Sequence, residues 1–327
     1  MIVLSLFDGC GMAYQALKNL GVKVDKYYSS EIDKYAIQIA EKNHPDIIKL
    51  GDINNWQSWN IEQPDLIIGG FPCQSFSIAG NRLNFDDERG QLFFTANEIL
   101  KYYKPKYFVL ENVASMKKDI QKIISDILGY EPICINSLLV SAQSRKRLFW
   151  TNISGIEQPE DRKIYLKDIL QDEVDEKYYL SEKVLSRLVL GNLQKCGVAG
   201  YKITGKESSK AATLLSRDYK GMQNRGFNVV VDSPLRVGSF NKAGQGDRVY
   251  SPKGKSVSLS ALGGGKGAKT GLYSLGNKVR KLTPIECERL QTLPDNYTEG
   301  VSDSQRYKML GNGFTVKVIE HILKGIK

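Results

Sequence analysis

The sequence of 327 residues predicts an α/β protein with a doubly wound, mostly parallel sheet and a second, smaller, irregular β-rich domain. Over the first half of the chain, short apolar runs alternate with helical patterns, which is typical of parallel βαβ units. From about residue 185 the alternation gives way to short β-like runs and glycine-rich turns such as LSALGGGKGAKTGLY. Helical pattern returns in TPIECERLQTL and VKVIEHILKGI, so we expect the last helix to pack on the first domain.

The elements of the first domain follow one another in a regular order. The predicted strands are IVLSLF, VDKYYSSE, IIKLGDI, PDLIIGGFP and KYFVLENV. The predicted helices between and after them are AYQALKNLG, DKYAIQIAEKNH, QLFFTANEILKYY and KKDIQKIISDILG, each with apolar residues at helical spacing. Ligands of such sheets bind at the carboxyl ends of the strands. Five polar residues fall at the predicted ends and are expected to line one site: Asp8, Glu31, Asp52, Cys73 and Glu111.

Composition excludes several classes of protein. Hydrophobic residues make up 41% and charged residues 25%, which is typical of a globular protein with a substantial core. The sequence has no secretory signal pattern and no apolar run of the roughly 20 residues that span a bilayer. Five cysteines without CxxC spacing argue against a zinc site or a disulfide framework, so we expect a reducing cytoplasm and no metal. The two histidines, His44 and His321, are expected at the surface or at helix ends.

The net charge of +10 is concentrated in one segment. Residues 201–281 hold 16 Lys and Arg against 4 Asp and Glu, whereas the rest of the chain holds 30 against 32. The same region is rich in glycine, since 16 of the 30 glycines lie between Gly191 and Gly276. A basic segment with a flexible backbone favours a polyanion such as the phosphate chain of a nucleic acid over a merely solvated face.

The segment LFDGCG, after the first strand, indicates a pocket for an adenosine-containing ligand. Its glycines form a turn ahead of a helix, where the backbone can approach a ligand closely. Glu31, about 20 residues on, lies where an acid can bind ribose hydroxyls. Asp52 could accept from an adenine amine while Ile53 packs on the ring. These residues do not distinguish NAD from S-adenosylmethionine, so a Rossmann oxidoreductase remains open at this point.

The segment GGFPCQSFSIAGN places a cysteine after a proline at the end of an apolar run. Taken alone, Cys73 could be a small core residue, and the two histidines offer it no clear partner for hydrolysis. Glu111 in LENV follows on another predicted strand. Arg145 and Arg147 in QSRKRLFW are two residues apart, so an extended segment places both on one side. Singly, these could be an exposed acid and surface ion-pair partners.

Together these residues fit one reaction. A thiolate adds to C6 of a cytosine while a carboxyl group contacts N3 and the 4-amino group, where charge develops. An arginine on O2 assists and also favours the thiolate. C5 then attacks a methyl sulfonium, and loss of the C5 proton with elimination of the cysteine completes the cycle. Because the target atoms are hidden in duplex DNA, the base must be flipped out of the stack.

The chain resembles the S-adenosylmethionine-dependent DNA (cytosine-5)-methyltransferases of the compact bacterial and phage type. The resemblance covers nearly the whole chain, through LFDGCG, SEIDKYA, GDI, GGFPCQSFS, RGQLFF, ENV, QSRKR, RKLTPIECERLQTLPDNY and LGNGFTVKVI in that order. It implies a Rossmann-like methyltransferase sheet in a catalytic domain of residues 1–184, completed by residues 300–327. Residues 185–299 would form the target-recognition domain and hinge. Among the departures, Met12 stands where the family often has a second glycine, and Ser258 precedes Leu259 where threonine is usual.

The resemblance also implies roles for individual residues. Cys73 would be the nucleophile, Glu111 would act at N3, Arg147 would assist at the base and Arg145 would support it. The cofactor would be S-adenosyl-L-methionine, leaving S-adenosyl-L-homocysteine, with contacts from Phe7, Asp8, Gly9, Gly11, Glu31, Ile32, Asp52, Ile53, Pro72, Leu92 and Asn312. The loop from Gly80 to Gly90 would close over the flipped base. DNA would be contacted by Gln245, which fills the vacated position, by Arg248, which reads a guanine, and by Ser260 and Gly265.

The expected partner is double-stranded DNA, bound by a monomer in the cytoplasm of a bacterial cell, whether the gene is cellular or phage-borne. A cognate restriction endonuclease, where one exists, would act independently. One alternative is a tRNA cytosine-5 methyltransferase of related architecture, against which the large basic, glycine-rich domain argues. Another is a catalytically silent DNA-binding module, which would have no use for the set Cys73, Glu111 and Arg147.

Overall fold

The computed structural model describes residues 1–72, 88–179, 188–190, 202–204, 228–230, 236–240, 248–259, 272–275 and 278–326. Seven strands form the main sheet, in the spatial order β3-β2-β1-β4-β5-β7-β6. Their bounds are β1 Ile2–Leu6, β2 Lys26–Ser30, β3 Ile48–Lys49, β4 Leu66–Gly70, β5 Tyr107–Val113, β6 Ile133–Asn136 and β7 Lys146–Thr151. The first five strands run parallel, whereas β7 lies antiparallel between β5 and β6.

The strand order reverses between β1 and β4. From β1 the chain moves outward to β2 and β3, then returns to place β4 on the other side of β1. In open α/β sheets the crevice at such a switch point is where ligands bind. The segments that leave β1 and β4 therefore open onto one crevice, and these are LFDGCG and the start of GGFPCQ.

Seven α-helices lie among the described residues. They are α1 Met12–Asn19, α2 Lys34–Asn43, α3 Glu88–Tyr103, α4 Lys118–Leu128, α5 Pro284–Leu290, α6 Asp303–Asn312 and α7 Val316–Leu323. Local sequence fixes several ends: Asp33 caps α2 by accepting from the amides of Tyr35 and Ala36. Gly129, in the left-handed region, terminates α4.

The core lies on both faces of the main sheet. Side chains alternate along β4, so Leu66 and Ile68 pack into one cluster and Ile67 into the other. The first cluster includes α1, α2 and the three C-terminal helices, and the second includes α3 and α4. The predicted return of the C-terminal helix to the first domain is therefore confirmed. Among the described residues, no helix is long and apolar enough to cross a membrane.

The described residues of the second region include short strands, as the sequence predicts. A five-stranded sheet has the order β14-β13-β12-β11-β8, and β9 and β10 form a separate parallel pair. The bounds are β8 Leu188–Leu190, β9 Lys202–Thr204, β10 Asn228–Val230, β11 Arg236–Phe240, β12 Arg248–Tyr250, β13 Leu272–Leu275 and β14 Lys278–Lys281. The predicted fold class, a mostly parallel α/β sheet with a smaller β-rich part, is confirmed. The boundaries at residues 184 and 299 stay predictions.

Three details differ from the sequence expectations. The run IIKLGDI supplies only the two residues of β3, because Asp52 already caps a short 3-10 helix at Ile53–Ser58. Glu111 lies within β5 and not at its end, because pairing with β7 extends β5 to Val113. The helix α6 had no sequence prediction, since its apolar positions are few.

Candidate active site

The loop Phe7–Gly11, called the cofactor loop below, leaves β1 at the switch point and leads into α1. Its backbone turns sharply, with positive φ at Phe7 (56°), Gly9 (63°) and Gly11 (79°). A Cβ at Gly11 would lie 2.9 Å from Cδ2 of His44, so position 11 excludes a side chain by space as well as by backbone conformation. The loop is therefore pressed against the end of α2.

Asp8 fixes the start of this loop through hydrogen bonds to β1 and β2. Its carboxylate accepts hydrogen bonds from the hydroxyls of Ser5 (2.6 Å), Tyr27 (2.7 Å) and Ser29 (2.9 Å), and the residue is only 3% exposed. Burial raises the pKa of Asp8 above its ordinary value, against the effect of the three hydroxyl donors. Sequence reasoning placed Asp8 among the cofactor contacts, and the structure turns its carboxylate into the protein.

Glu31 organises the other wall of the crevice. One oxygen accepts from the amide of Gly9 (2.8 Å), and the other accepts from the amides of Ile32 and Asp33 (both 2.8 Å). The carboxylate therefore joins the end of β2 to the cofactor loop. The side chain of Ile32 is 73% exposed, which is unusual for a large apolar residue and leaves it free to pack on a planar ligand.

The remaining predicted cofactor residues differ in exposure. Asp52 accepts from the amide of Asn54 at 2.9 Å, and Ile53 is buried in the core. Leu92 on α3 and Pro72 after β4 are partly buried. Asn312, at the end of α6, is exposed, and its neighbour Gly313 lies against Met12 at the start of α1.

Glu111 and Arg147 form an ion pair across two strands. Arg147 lies opposite Val113 in the antiparallel pairing of β5 with β7, so Glu111 is its diagonal neighbour on the same face. Nε of Arg147 donates to Oε1 of Glu111 at 2.8 Å, and both side chains are largely buried, 16% and 13% exposed. A charged pair so far removed from solvent holds the carboxylate in one orientation.

This ion pair lies beside the exit of β4. Gly70 pairs with Glu111 in the parallel register, and a Cβ at Gly70 would lie 2.9 Å from Oε2 of Glu111. Nδ2 of Asn112 donates to the carbonyl of Phe71 at 3.1 Å and thereby ties the chain after β4 to β5. Cys73 and the first part of the predicted Gly80–Gly90 loop lie within residues 73–87, outside the described residues, whereas residues 88–90 are not loop but form the first turn of α3.

Arg145 is buried, 2% exposed, just before β7. Its guanidinium donates to the carbonyls of Leu259 (3.1 Å), Gly311 (3.0 Å) and Gly313 (2.9 Å) and to the hydroxyl of Ser258 (3.3 Å). Burial, reinforced by the positive charge of Arg147, lowers the pKa of Arg145 to about 9. Arg145 thus joins the segment before β7 to Ser258–Leu259 and to the end of α6, and its supporting role at the base stays a prediction.

A short strip from the second region, Gly254–Leu259, lies along the segment that precedes β7 of the main sheet. Ser256 pairs with Gln143 in a parallel bridge, and the amide of Ser256 donates to the carbonyl of Ala142 at 2.7 Å. Oε1 of Gln143 accepts from the amide of Leu259 at 2.8 Å. Lys255 is 1% exposed, and its ammonium donates to the carbonyls of Leu138 (2.9 Å), Ser141 (3.3 Å) and Ile164. We call this segment the tethered strip.

Of the predicted DNA-reading residues, only Arg248 is described. It lies on β12, opposite Ser239 of β11, with its side chain partly exposed. Gln245, Ser260 and Gly265 lie outside the described residues. Within the part of the chain that the structure describes, no group of His, Cys, Asp and Glu is arranged to hold a metal ion.

Sequence reasoning missed several residues that shape the site. Gln143 and Lys255 read as surface residues because they are polar, yet both are fully buried. His44 and Tyr297 lie next to the cofactor loop although Tyr297 is distant in sequence. The motif QSRKR contained a signal for Gln143, since it is the first residue of that motif.

Replacing Gly70 with alanine should displace the Glu111 carboxylate, because the new methyl group would lie 2.9 Å from Oε2. The contact is with the end of a side chain and not with backbone, so the fold should tolerate the change while the ion pair with Arg147 is displaced. A displacement of this size can lower turnover by about 10- to 100-fold. Initial rates of methyl transfer to DNA, with thermal unfolding in parallel, measure both effects.

Gly69→Ala is the matched control for that experiment. A Cβ at Gly69 would lie 2.5 Å from the backbone carbonyl of Leu6, which cannot move without separating β1 from β4. That variant should lose stability, by about 1–3 kcal/mol or more. Normal turnover of Gly70→Ala would show that the position of the carboxylate does not limit the reaction.

The whole chain, residues 1–327, matches the protein family described as C-5 cytosine-specific DNA methylase. The type II methyltransferase M.HhaI of Haemophilus parahaemolyticus is 30% identical over 341 residues, which cover 99% of this chain and 93% of that protein. The type II methyltransferase M.HpaII of Haemophilus parainfluenzae is 31% identical, with 97% and 86% covered. The orphan methyltransferase M.SPRI of Bacillus phage SPR is 29% identical, with 98% and 96% covered.

Solved structures share the fold. The methyltransferase EhMeth of Entamoeba histolytica superposes with a TM-score of 0.67 at 18% identity, covering 100% of this chain and 99% of that one. The Dnmt2 methyltransferase of S. pombe gives 0.64 at 19% identity, covering 99% and 98%.

The sheet order and its switch point define an open α/β fold, which the solved methyltransferases share, and the buried Glu111–Arg147 pair lies beside the exit of β4. The full-length family match then assigns the type. The chain belongs to the C-5 cytosine-specific DNA methylases and is a DNA (cytosine-5)-methyltransferase, which confirms the enzyme class predicted from the sequence.

Proposed function

We propose that this enzyme methylates C5 of a flipped-out cytosine in a short duplex DNA target through a covalent adduct between Cys73 and C6. The observation that carries the proposal is the Glu111–Arg147 ion pair, which lies beside the strand that ends three residues before Cys73. An ordered acid and a positive charge next to a cysteine are the groups that this reaction requires of the protein.

In this mechanism Glu111 contacts N3 and the 4-amino group of the target cytosine. Its Oε1 already binds Arg147, and its Oε2 faces Gly70 at the exit of β4, from which the cysteine segment begins. Stabilising charge at N3 makes C6 electrophilic enough for the thiolate of Cys73. Arg147 contacts O2 of the base and favours the thiolate by its positive charge. Elimination of Cys73 after loss of the C5 proton restores the free enzyme.

S-adenosyl-L-methionine would bind in the crevice at the switch point and would supply an electrophilic methyl group on its sulfonium. The residues present fit such a molecule, because the cofactor loop leaves room for a ligand at Gly9, where a Cβ would meet nothing within 4 Å. Oε2 of Glu31 accepts one hydrogen bond in the structure and can accept a second from a ribose hydroxyl, and the exposed Ile32 can cover the adenine. Phe7, Asp8, Gly11, Asp52, Ile53, Pro72, Leu92 and Asn312 are the further proposed contacts.

Double-stranded DNA would lie between the catalytic sheet and the basic second region. Arg248 is proposed to read a guanine in the major groove, and Gln245, Ser260 and Gly265 to contact the target nearby. We propose that the enzyme acts as a monomer in the bacterial cytoplasm, in keeping with its bacterial and phage relatives. A cognate restriction endonuclease, where present, would act as a separate protein.

Bisulfite sequencing of plasmid DNA from cells that express the chain tests the proposal, with Cys73→Ser as the matched control. We expect protected cytosines within one short motif, and none in the control, because serine at this position forms no adequate nucleophile at neutral pH. This measurement also gives the recognition sequence.

Three other outcomes would contradict the proposal. Protection that persists in the Cys73→Ser variant would exclude the covalent route. Unprotected DNA, together with tRNA methylation by the purified protein, would show that the enzyme is a tRNA cytosine-5 methyltransferase. If neither DNA nor tRNA is modified, the chain would be a DNA-binding protein without methyltransferase activity.

A further inference from the structure

Four aromatic residues form a connected group beneath the cofactor loop: Tyr14, Tyr27, His44 and Tyr297. The ring of Tyr14 stacks on Tyr27 with centroids 4.5 Å apart and on His44 with centroids 4.6 Å apart. All four are buried, with exposures between 1% and 9%. They come from β2, α1, the end of α2 and the segment after α5.

This group contacts the cofactor loop at both ends. The hydroxyl of Tyr27 donates to Asp8 at 2.7 Å, and the hydroxyl of Tyr297 donates to the carbonyl of Cys10 at 2.9 Å. The ring of His44 lies against Gly11, where a Cβ would come within 2.9 Å of it. Three residues of the loop, Asp8, Cys10 and Gly11, thus contact one aromatic group.

The hydrogen-bond pattern fixes the roles of His44 and Tyr297. Nε2 of His44 lies 3.0 Å from the hydroxyl of Tyr297. Because the single hydroxyl proton goes to Cys10, Nε2 must carry the proton that His44 donates. Burial, assisted by the charge of Lys18, lowers the pKa of His44 to about 4, so the imidazole is neutral and uses one N–H here.

Tyr297 is itself held rigidly. Glu288, which is fully buried, accepts from the amides of Asn296 (2.7 Å) and Thr298 (2.8 Å) on either side of Tyr297. Asn43 at the end of α2 donates to the carbonyl of Tyr297 at 2.9 Å. These hydrogen bonds fix the backbone on both sides of Tyr297 and therefore fix the position of the hydroxyl that binds Cys10.

We infer that Tyr297, with His44, is a positioning residue that sets the backbone of the cofactor loop and thereby tunes affinity for the adenosyl cofactor. This inference rests on the proposed cofactor site. Tyr297 belongs to the C-terminal part of the chain, so the loop after β1 takes its final shape only when that part has packed against α2. The residue acts through Cys10 and Gly11 and touches neither base nor cofactor.

Isothermal titration with S-adenosyl-L-homocysteine tests the inference on Tyr297→Phe, which removes one oxygen and keeps the ring. Tyr307→Phe is the matched control, because Tyr307 is also buried and its hydroxyl donates to a backbone carbonyl, that of Leu282 at 2.6 Å, away from the loop. We expect Tyr297→Phe to bind about three- to tenfold more weakly, the value of one such hydrogen bond, and Tyr307→Phe to bind normally. In steady state, KM for S-adenosylmethionine should rise while kcat and KM for DNA stay unchanged.

Equal affinities of the two variants and the wild type would overturn the inference, since Tyr297 would then support stability only. Failure of the wild type to bind S-adenosyl-L-homocysteine would instead reject the proposed cofactor site. Should Tyr297→Phe not fold, Tyr27→Phe at the other end of the group carries the same expectation, and normal binding by that variant would overturn the inference.

Discussion

Glu111→Gln is expected to slow methyl transfer to DNA by about 100- to 10,000-fold, the range over which a positioned acid–base group contributes. Glutamine keeps the size of the side chain and an oxygen that can accept from Arg147 Nε, as Oε1 of Glu111 does at 2.8 Å. It cannot share a proton with N3 of the base as that nitrogen becomes basic. The loss should therefore appear in the chemical step and leave the fold intact.

Single-turnover kinetics with saturating DNA and cofactor measures that step directly. Glu41→Gln is a suitable control, because Glu41 forms an exposed ion pair with Lys49 on α2 and β3, away from the crevice. Its rate should equal that of the wild type, and both variants should retain DNA binding in a gel-shift assay. A Glu111→Gln rate within about threefold of wild type would remove the carboxyl group from the chemistry.

Glu286→Gln is expected to lower the free energy of unfolding by about 3–5 kcal/mol. Glu286 and Arg280 are 0% and 1% exposed and are joined by two hydrogen bonds of 2.7 Å. The same carboxylate accepts from the amides of Thr283 and Gln171, both at 2.9 Å. Glutamine would leave the guanidinium of Arg280 buried without an opposite charge. The damage would fall on the junction between β14 and α5.

Urea denaturation, followed by tryptophan fluorescence, measures this loss. Asp295→Asn offers a matched comparison, because Arg289 and Asp295 have the same spacing of six residues and also form two hydrogen bonds, at 2.8 Å and 2.6 Å. That pair is 31% and 45% exposed, so its loss should cost no more than about 1 kcal/mol. The double variant Arg280→Met with Glu286→Gln should recover part of the stability. If Glu286→Gln and Asp295→Asn lowered the free energy of unfolding equally, burial of an ion pair would not increase the cost of removing one of its charges.

The fold of the first half of the chain could be predicted from the sequence because the local apolar pattern there agrees with the tertiary packing. Apolar runs such as LIIGG form β4, and alternating helices cover both faces. Glu111 could be chosen from sequence because LENV lies in a strand next to the cysteine segment. Its contact with Arg147 could not, since that depends on the register of β7, which enters the sheet antiparallel between β5 and β6.

The burial of other residues could not be predicted from the sequence, because it depends on partners that are distant along the chain. Lys255 is charged, and pattern alone places it in solvent, yet three backbone carbonyls replace water around its ammonium. His44 ends a helix as expected, but its burial depends on Tyr297, which is 253 residues away in the chain. Partners so distant leave no periodic signal in the sequence.

The tethered strip Gly254–Leu259 bears on how enzymes of this design can acquire new specificities. By chain order it belongs to the second region, yet its backbone pairs with Gln143 and its side chains meet Arg145 and the loop before β7. Exchange of the second region between relatives would therefore have to leave this strip with the segment before β7 to which it is bound. In natural recombinants and in laboratory chimeras, junctions on either side of the strip would break the fewest of these contacts. The segment that can be exchanged is therefore smaller than the whole second region.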